Sequence, residues 1–271
     1  MLISNPQDNS KTDISIKNLK TGEQELYITL PDIDVRHYHP CEYHNGNLYV
    51  IKKIRCDGHP EVEWTSELWR YDADEKSTKL HTAKDIDFRV SPNERYLAVR
   101  EENLVFLGSQ GNPLQGITIK ELSSHEDELH GPLIVRIHLL KWSDNSNQFW
   151  GALQAGPSPQ TIYRVEVPLW QKVVYDISEL HIPVEYDLNA NTGKLVYSDY
   201  PQIYDVTSLE EFEKSQRAVI LFIYDLNSRD IQNIQIVDTS VAAKFYPKWI
   251  DDVTVEYDSP EEENRITFTT D

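Results

Sequence analysis

The sequence predicts an all-β protein assembled from small antiparallel sheets, and three observations predict it. Tyrosine and tryptophan are frequent, at 15 and 6 of 271 residues, and such broad rings suit a pleated, half-buried surface. One hairpin signal recurs along the chain: a short apolar or aromatic strand, a polar turn, then a second strand rich in Val, Leu and Tyr. The copies return at intervals of roughly 50 residues, with room for two further strands after each.

Taken in order, the N-terminal pair Ile14–Lys17 and Glu25–Leu30 reads as two strands. Cys41–Val50 is the first full hairpin, turned at Asn45-Gly46, a dipeptide that accepts the left-handed geometry of tight hairpins. Leu68–Asp72 and Thr78–Leu80 continue that unit. Ile86–Val99 holds the sharpest copy, turned at Ser91-Pro92-Asn93-Glu94, where Pro sets φ and Asn tolerates left-handed backbone. Leu139–Ala152 is the next copy, followed by Thr161–Val167 and Lys172–Asp176. Tyr186–Tyr197 turns at Asn191-Thr192-Gly193 and is followed by Val219–Asp225 and Ile231–Val237. Phe245–Val255 is the last. Trp142 and Trp249 hold equivalent first-strand ends, just before acidic turn residues. With Phe88, Leu97 and Phe149 they are expected in the core. The one helix signal lies at Thr207–Ser215, with a Ser208 to Glu211 capping box and early acidic residues. It predicts a short helical insertion over 206–216.

Four short strands per repeat is the rhythm of β-propeller blades. The chain is therefore read as a single propeller domain over residues 1–271. Five hairpins predict five blades, or six if one copy is degenerate. The N-terminal pair lacks first strands and the C-terminal hairpin lacks a fourth. The two ends are thus expected to share one blade, Ile14–Leu30 beside Val253–Val255 or Arg265–Thr269. Such closure would leave no long unpaired edge.

Ser91-Pro92-Asn93-Glu94-Arg95-Tyr96-Leu97-Ala98-Val99 resembles the turn and strand of TolB-like and WD40-like blades. Ile16-Lys17-Asn18-Leu19-Lys20-Thr21-Gly22-Glu23 resembles the link between their outer strands. The Trp-Asp and Gly-His elements of WD40 repeats are missing, so the resemblance leans to the TolB-like side. It implies a propeller whose loops and central funnel present a binding surface.

The formal net charge is −19, which opposes a phosphate-backbone partner, and the basic residues are scattered among acids. No nucleic-acid role is expected. No apolar run approaches the roughly 18 residues of a membrane span, and the first residues show no signal peptide. A cytoplasmic monomer is expected, or a periplasmic or extracellular one if a leader was removed. The acidic cluster Asp251, Asp252, Glu256, Asp258 and Glu261–Glu263 reads as a solvated turn. Cys41 and Cys56 are too few for a disulfide framework, and both are expected reduced.

Candidate site residues come from two places. In His37-Tyr38-His39-Pro40-Cys41-Glu42-Tyr43-His44, alternation would put His37, His39 and Cys41 on one side. The ligand types suit zinc or copper, but Pro40 interrupts the strand and the spacing fits no standard motif. His37, His39 and His44 are therefore read as channel or loop binding residues, with no metal and no cofactor. The second set is Asp85, Asp87, Glu185 and Asp187, carboxylates on first strands. The leading reading is a non-catalytic binding or scaffold protein for a protein or small-molecule ligand. The alternative is a channel-centred hydrolase or lyase on a carbohydrate-like substrate, needing two carboxylates roughly 5–9 Å apart.

Overall fold

The computed structural model describes residues 2–8, 11–17, 21, 23–31, 41–56, 63–72, 74, 76–84, 86–102, 115–121, 137–155, 158–167, 169, 171–180, 182, 185–201, 209–228, 234–241, 243–260, 262 and 265–270. Among them are 21 strands, a 3-10 turn at Ser178–Leu180 and a single α-helix, α1 (Leu209–Lys214). No helix among the described residues is long and apolar enough to cross a membrane. The chain separates into two compact units, Met1–Val135 and Arg136–Asp271.

In the N-terminal unit, β1 (Leu2–Asp8), β2 (Lys11–Lys17) and β3 (Gln24–Pro31) form one antiparallel sheet. A four-stranded sheet follows: β4 (Cys41–His44), β5 (Asn47–Cys56), β6 (Glu63–Tyr71) and β7 (Ser77–Ala83). The third sheet is β8 (Ile86–Val90), β9 (Tyr96–Glu102) and β10 (Gln115–Glu121). Each sheet packs on the next. Ile28 lies against Leu48, Val50 and Tyr71. Tyr49, Ile51 and Leu68 meet Ile86, Phe88, Leu97 and Val99. Strict alternation along β8, Ile86, Phe88 and Val90 buried with Asp87 and Arg89 half-buried, is what such a layer requires.

The C-terminal unit repeats the plan. Its first sheet is β11 (Ile137–Trp142), β12 (Gln148–Ala155), β13 (Ser158–Glu166) and β14 (Gln171–Asp176). Its second is β15 (Tyr186–Leu188), β16 (Lys194–Ser198), β17 (Ala218–Asp225) and β18 (Ile234–Val241). The last holds β19 (Lys248–Trp249), β20 (Thr254–Tyr257) and β21 (Ile266–Thr269). Trp150, Ile162 and Tyr175 pack on Leu188, Leu195 and Tyr224. Val196, Leu221 and Ile223 pack on Phe245, Trp249 and Val255. Helix α1 leaves between β16 and β17 and is pinned by Phe212, whose ring meets Tyr200 edge-on at 5.3 Å.

All five predicted hairpins form: β4–β5, β8–β9, β11–β12, β15–β16 and β19–β20. Phe88, Leu97, Trp142, Phe149 and Trp249 are all buried. The N-terminus departs from expectation. Sequence reading placed no strand before Ile14, yet β1 pairs along β2 from Leu2 to Asp8. Pro6 lies within this strand although proline cannot donate to a ladder. It is tolerated because β1 is the edge of its sheet. With β1 in place, β2 and β3 complete a sheet of their own, and β20 and β21 pair within the last one.

Candidate functional site

Two of the hairpin turns, β8–β9 and β11–β12, are built from one hydrogen-bond pattern. In the first, Ser91 Oγ donates to Asn93 Oδ1 and accepts from the Tyr96 amide, while the Arg95 amide donates to Asn93 Oδ1. Ser143, Asn145, Asn147 and Gln148 repeat each bond at the β11–β12 turn. The residue that closes each turn is left-handed, Glu94 at φ 54° and Ser146 at φ 60°. In the β15–β16 turn Asn189 Oδ1 accepts from the Asn191 and Thr192 amides, and Gly193 supplies the left-handed residue at φ 74°. Asp251 does the same in the β19–β20 turn, accepting from the Val253 and Thr254 amides. Those bonds, led by Val253, hold its carboxyl below the usual aspartate range.

Of the predicted carboxylates, Asp87, Glu185 and Asp187 are among the described residues, and Glu42, which sequence reading did not single out, belongs with them. Asp187 on β15 accepts from the backbone amide of Trp249 on β19 at 3.0 Å, and its other oxygen takes the ammonium of Lys141. Glu42 on β4 accepts from the amide of Val90 on β8 at 2.8 Å. Both bonds join the first strand of one sheet to the first strand of the next. Glu185, just before β15, makes a link of the same kind to the segment before β19: Oε2 accepts from the Phe245 amide at 3.2 Å and from the Ser198 hydroxyl at 2.9 Å. Burial pushes its carboxyl above the ordinary value, against those two donors and the Lys244 charge. Asp87 sits between two guanidinium groups, Arg89 at 3.1 Å and Arg100 at 3.6 Å.

His44 lies 3.1 Å from the Glu42 carboxylate through Nε2 and meets the Tyr49 ring edge-on. His44, Glu42, Arg89, Asp87 and Arg100 thus form one connected polar row in the N-terminal unit. Glu185 and Asp187 sit together at the start of β15. His37, His39 and Asp85 lie outside the described residues. Cys41 is a free thiol, pushed up to about 12 by burial first and by the Glu42 charge second, so it stays protonated.

Sequence reading missed a pocket at the hairpin turns of the C-terminal unit. It has a volume of about 150 Å³, walled by Trp142, Leu188 and Trp249 and rimmed by Asp144, Asn191 and Asp252. One amide sets the rim: Asn191 Nδ2 donates to Asp144 at 2.8 Å and to Asp252 at 2.7 Å. Asn189 Nδ2 donates to the Asp251 carbonyl, tying the last two turns together. The signal was present in the sequence, since Trp142 and Trp249 each precede acidic turn residues. Nothing in the sequence showed that turns so far apart in the chain meet around one space.

No protein-family model matches the sequence, and no curated protein matches it. Solved structures do. A prolyl endopeptidase is similar with a TM-score of 0.54 at 10% identity, over 92% of this chain and 36% of that one. An oligogalacturonate lyase in complex with manganese gives a TM-score of 0.51 at 12% identity, over 98% of this chain and 72% of the lyase. TolB from Acinetobacter baumannii gives 0.45 at 11% identity, over 84% of this chain and 49% of TolB. The chain thus spans about half the length of TolB and about a third of the peptidase. At these identities the likeness is one of fold. Small antiparallel sheets in series, the repeated turn and the likeness to the endopeptidase and lyase structures show the fold, a β-propeller.

Proposed function

We propose that this chain is a non-catalytic binding platform whose hairpin turns receive a protein partner. One observation carries the reading: Glu42, Glu185 and Asp187 are engaged in bonds to the backbone of the neighbouring sheet or its approach, and Asp87 is taken up by Arg89 and Arg100. A general acid or a nucleophile needs oxygen lone pairs turned to substrate. Asp187 and Glu42 instead accept backbone amides of the neighbouring sheet, at 3.0 and 2.8 Å. Glu185 is engaged in the same way. The net charge of −19 favours a protein over a nucleic acid.

Stability and activity together test this. Removing a carboxylate that satisfies a buried amide costs about 1–3 kcal/mol. Catalytic groups usually sit at the expense of stability, so their removal is neutral or stabilising. Asp187→Ala and Glu42→Ala are therefore expected to lower the denaturant midpoint, and wild type is expected to show no turnover of polyuronide or peptide substrates, with or without manganese. Turnover that Asp187→Ala abolishes while stability stays unchanged would establish the lyase or hydrolase reading instead.

A further inference from the structure

We propose that the pocket at the turns of the C-terminal unit receives a basic side chain, Arg or Lys, from a protein partner; this rests on the binding role proposed above and names its ligand. Size is the first argument. Pockets for drug-sized ligands run to roughly 300–1,000 Å³, whereas this one holds about 150 Å³. A space of that size suits a single side chain.

Charge is the second. Asp144 and Asp252 stand on the rim, joined through Asn191. Asp251 lines the same space and is held ionised by its turn amides. The cation nearest to hand, Lys141, is committed to Asp187. An anion would meet three carboxylates. A bare metal ion fits poorly too, because Asn191 already donates to both rim aspartates, and among the described residues no three His, Cys, Asp or Glu side chains converge as ligands. An organic cation keeps those bonds and adds its own.

The walls are the third. Trp142 and Trp249 line the pocket, and aromatic rings attract cations within about 6 Å of the ring centre. Trp249 is only 7% exposed, and its buried indole N–H has no acceptor among the described residues. Ile250, half exposed, lines the same pocket and offers apolar surface to the stem of such a side chain.

The test uses the whole chain and three capped pentapeptides, Ala-Ala-X-Ala-Ala, with X as Arg, Gln or Glu. Binding is read by calorimetry and by tryptophan fluorescence. The arginine peptide is expected to bind at least about tenfold more tightly than the glutamine peptide, the scale of one charge-assisted bond. It should weaken as salt rises, and weaken about tenfold in Asp144→Asn/Asp252→Asn, whose amide oxygens can still accept from Asn191. The salt titration on wild type keeps the proposal exposed if the double variant misfolds. Equal binding of the glutamine peptide, or arginine binding that neither salt nor the double variant weakens, overturns the ligand class and leaves the binding role standing. Failure of all three peptides overturns the site. Turnover in the assay above overturns the binding role itself.

Discussion

The β8–β9 turn of the N-terminal unit and the β11–β12 turn of the C-terminal unit are the same object internally and different objects externally. Inside each, a buried serine bonds an asparagine two residues on and the amide five residues on. Outside, Glu94 accepts from Asn47 Nδ2 and from the Tyr49 hydroxyl, both at 2.7 Å, so its carboxylate is absorbed by the neighbouring hairpin. In the C-terminal unit one asparagine, Asn191, is shared by two aspartates, and an open pocket lies beside them. The turn motif is therefore scaffold. What differs is whether the charge next to it is consumed or left facing a space.

The largest test of this comparison is at the glycines. Gly193 has φ 74°, and a Cβ there would meet Asn227 Nδ2 at 2.8 Å and the Trp150 ring at 3.3 Å. Gly46 has φ 91° with nothing within 4 Å of such an atom. Left-handed backbone costs an alanine about 1–2 kcal/mol, and overpacking adds about 1–3 kcal/mol. Gly193→Ala is expected to carry both costs and Gly46→Ala only the first. Equal losses in urea denaturation would mean that the two turns are equally open.

Next come the serines. Ser91→Ala and Ser143→Ala each leave a turn amide without its acceptor, worth about 1–3 kcal/mol. If the turns are internally equivalent, the two denaturant midpoints fall together. A large fall in one and none in the other would break the equivalence on which the comparison stands.

The smallest effect is a pH dependence at Glu185. Its carboxyl is raised from 4.5 by burial. A raised folded-state value means that the group's favourable contribution is complete below 4.5 and is lost as pH rises through the folded value. Glu185→Gln removes that loss. The melting temperature of the variant minus that of wild type should therefore grow more positive between pH 4.5 and neutrality. A difference that shrinks as pH rises would show that the ionised carboxylate is the stabilising form.

The sequence made the local features legible. Ser-Pro-Asn-Glu at 91–94 and Asn-Gly at 45–46 announced their turns because proline, asparagine and glycine choose backbone geometry within a few residues. Helix α1 was announced by its acidic start. β1 was hidden because Asn5-Pro6 reads as a break unless one knows that the strand is an edge. Site residues fared less well for a physical reason. Asp187 meets Trp249 and Glu42 meets Val90 across 62 and 48 residues, and no local pattern encodes a partner so distant. The acidic turn at Asp251 and Asp252 read as solvated surface because its tryptophan neighbours come from turns that meet only in the folded chain.

The central claim is that the first-strand carboxylates Glu42 and Asp187 act as links between sheets. Hydrogen exchange at the Trp249 backbone amide tests it most directly. The account predicts strong protection in wild type and a clear loss of protection at Trp249 in Asp187→Ala, with amides on β12 and β13 unchanged. An amide at Trp249 that exchanges freely in wild type, or stays equally protected in Asp187→Ala, would contradict it.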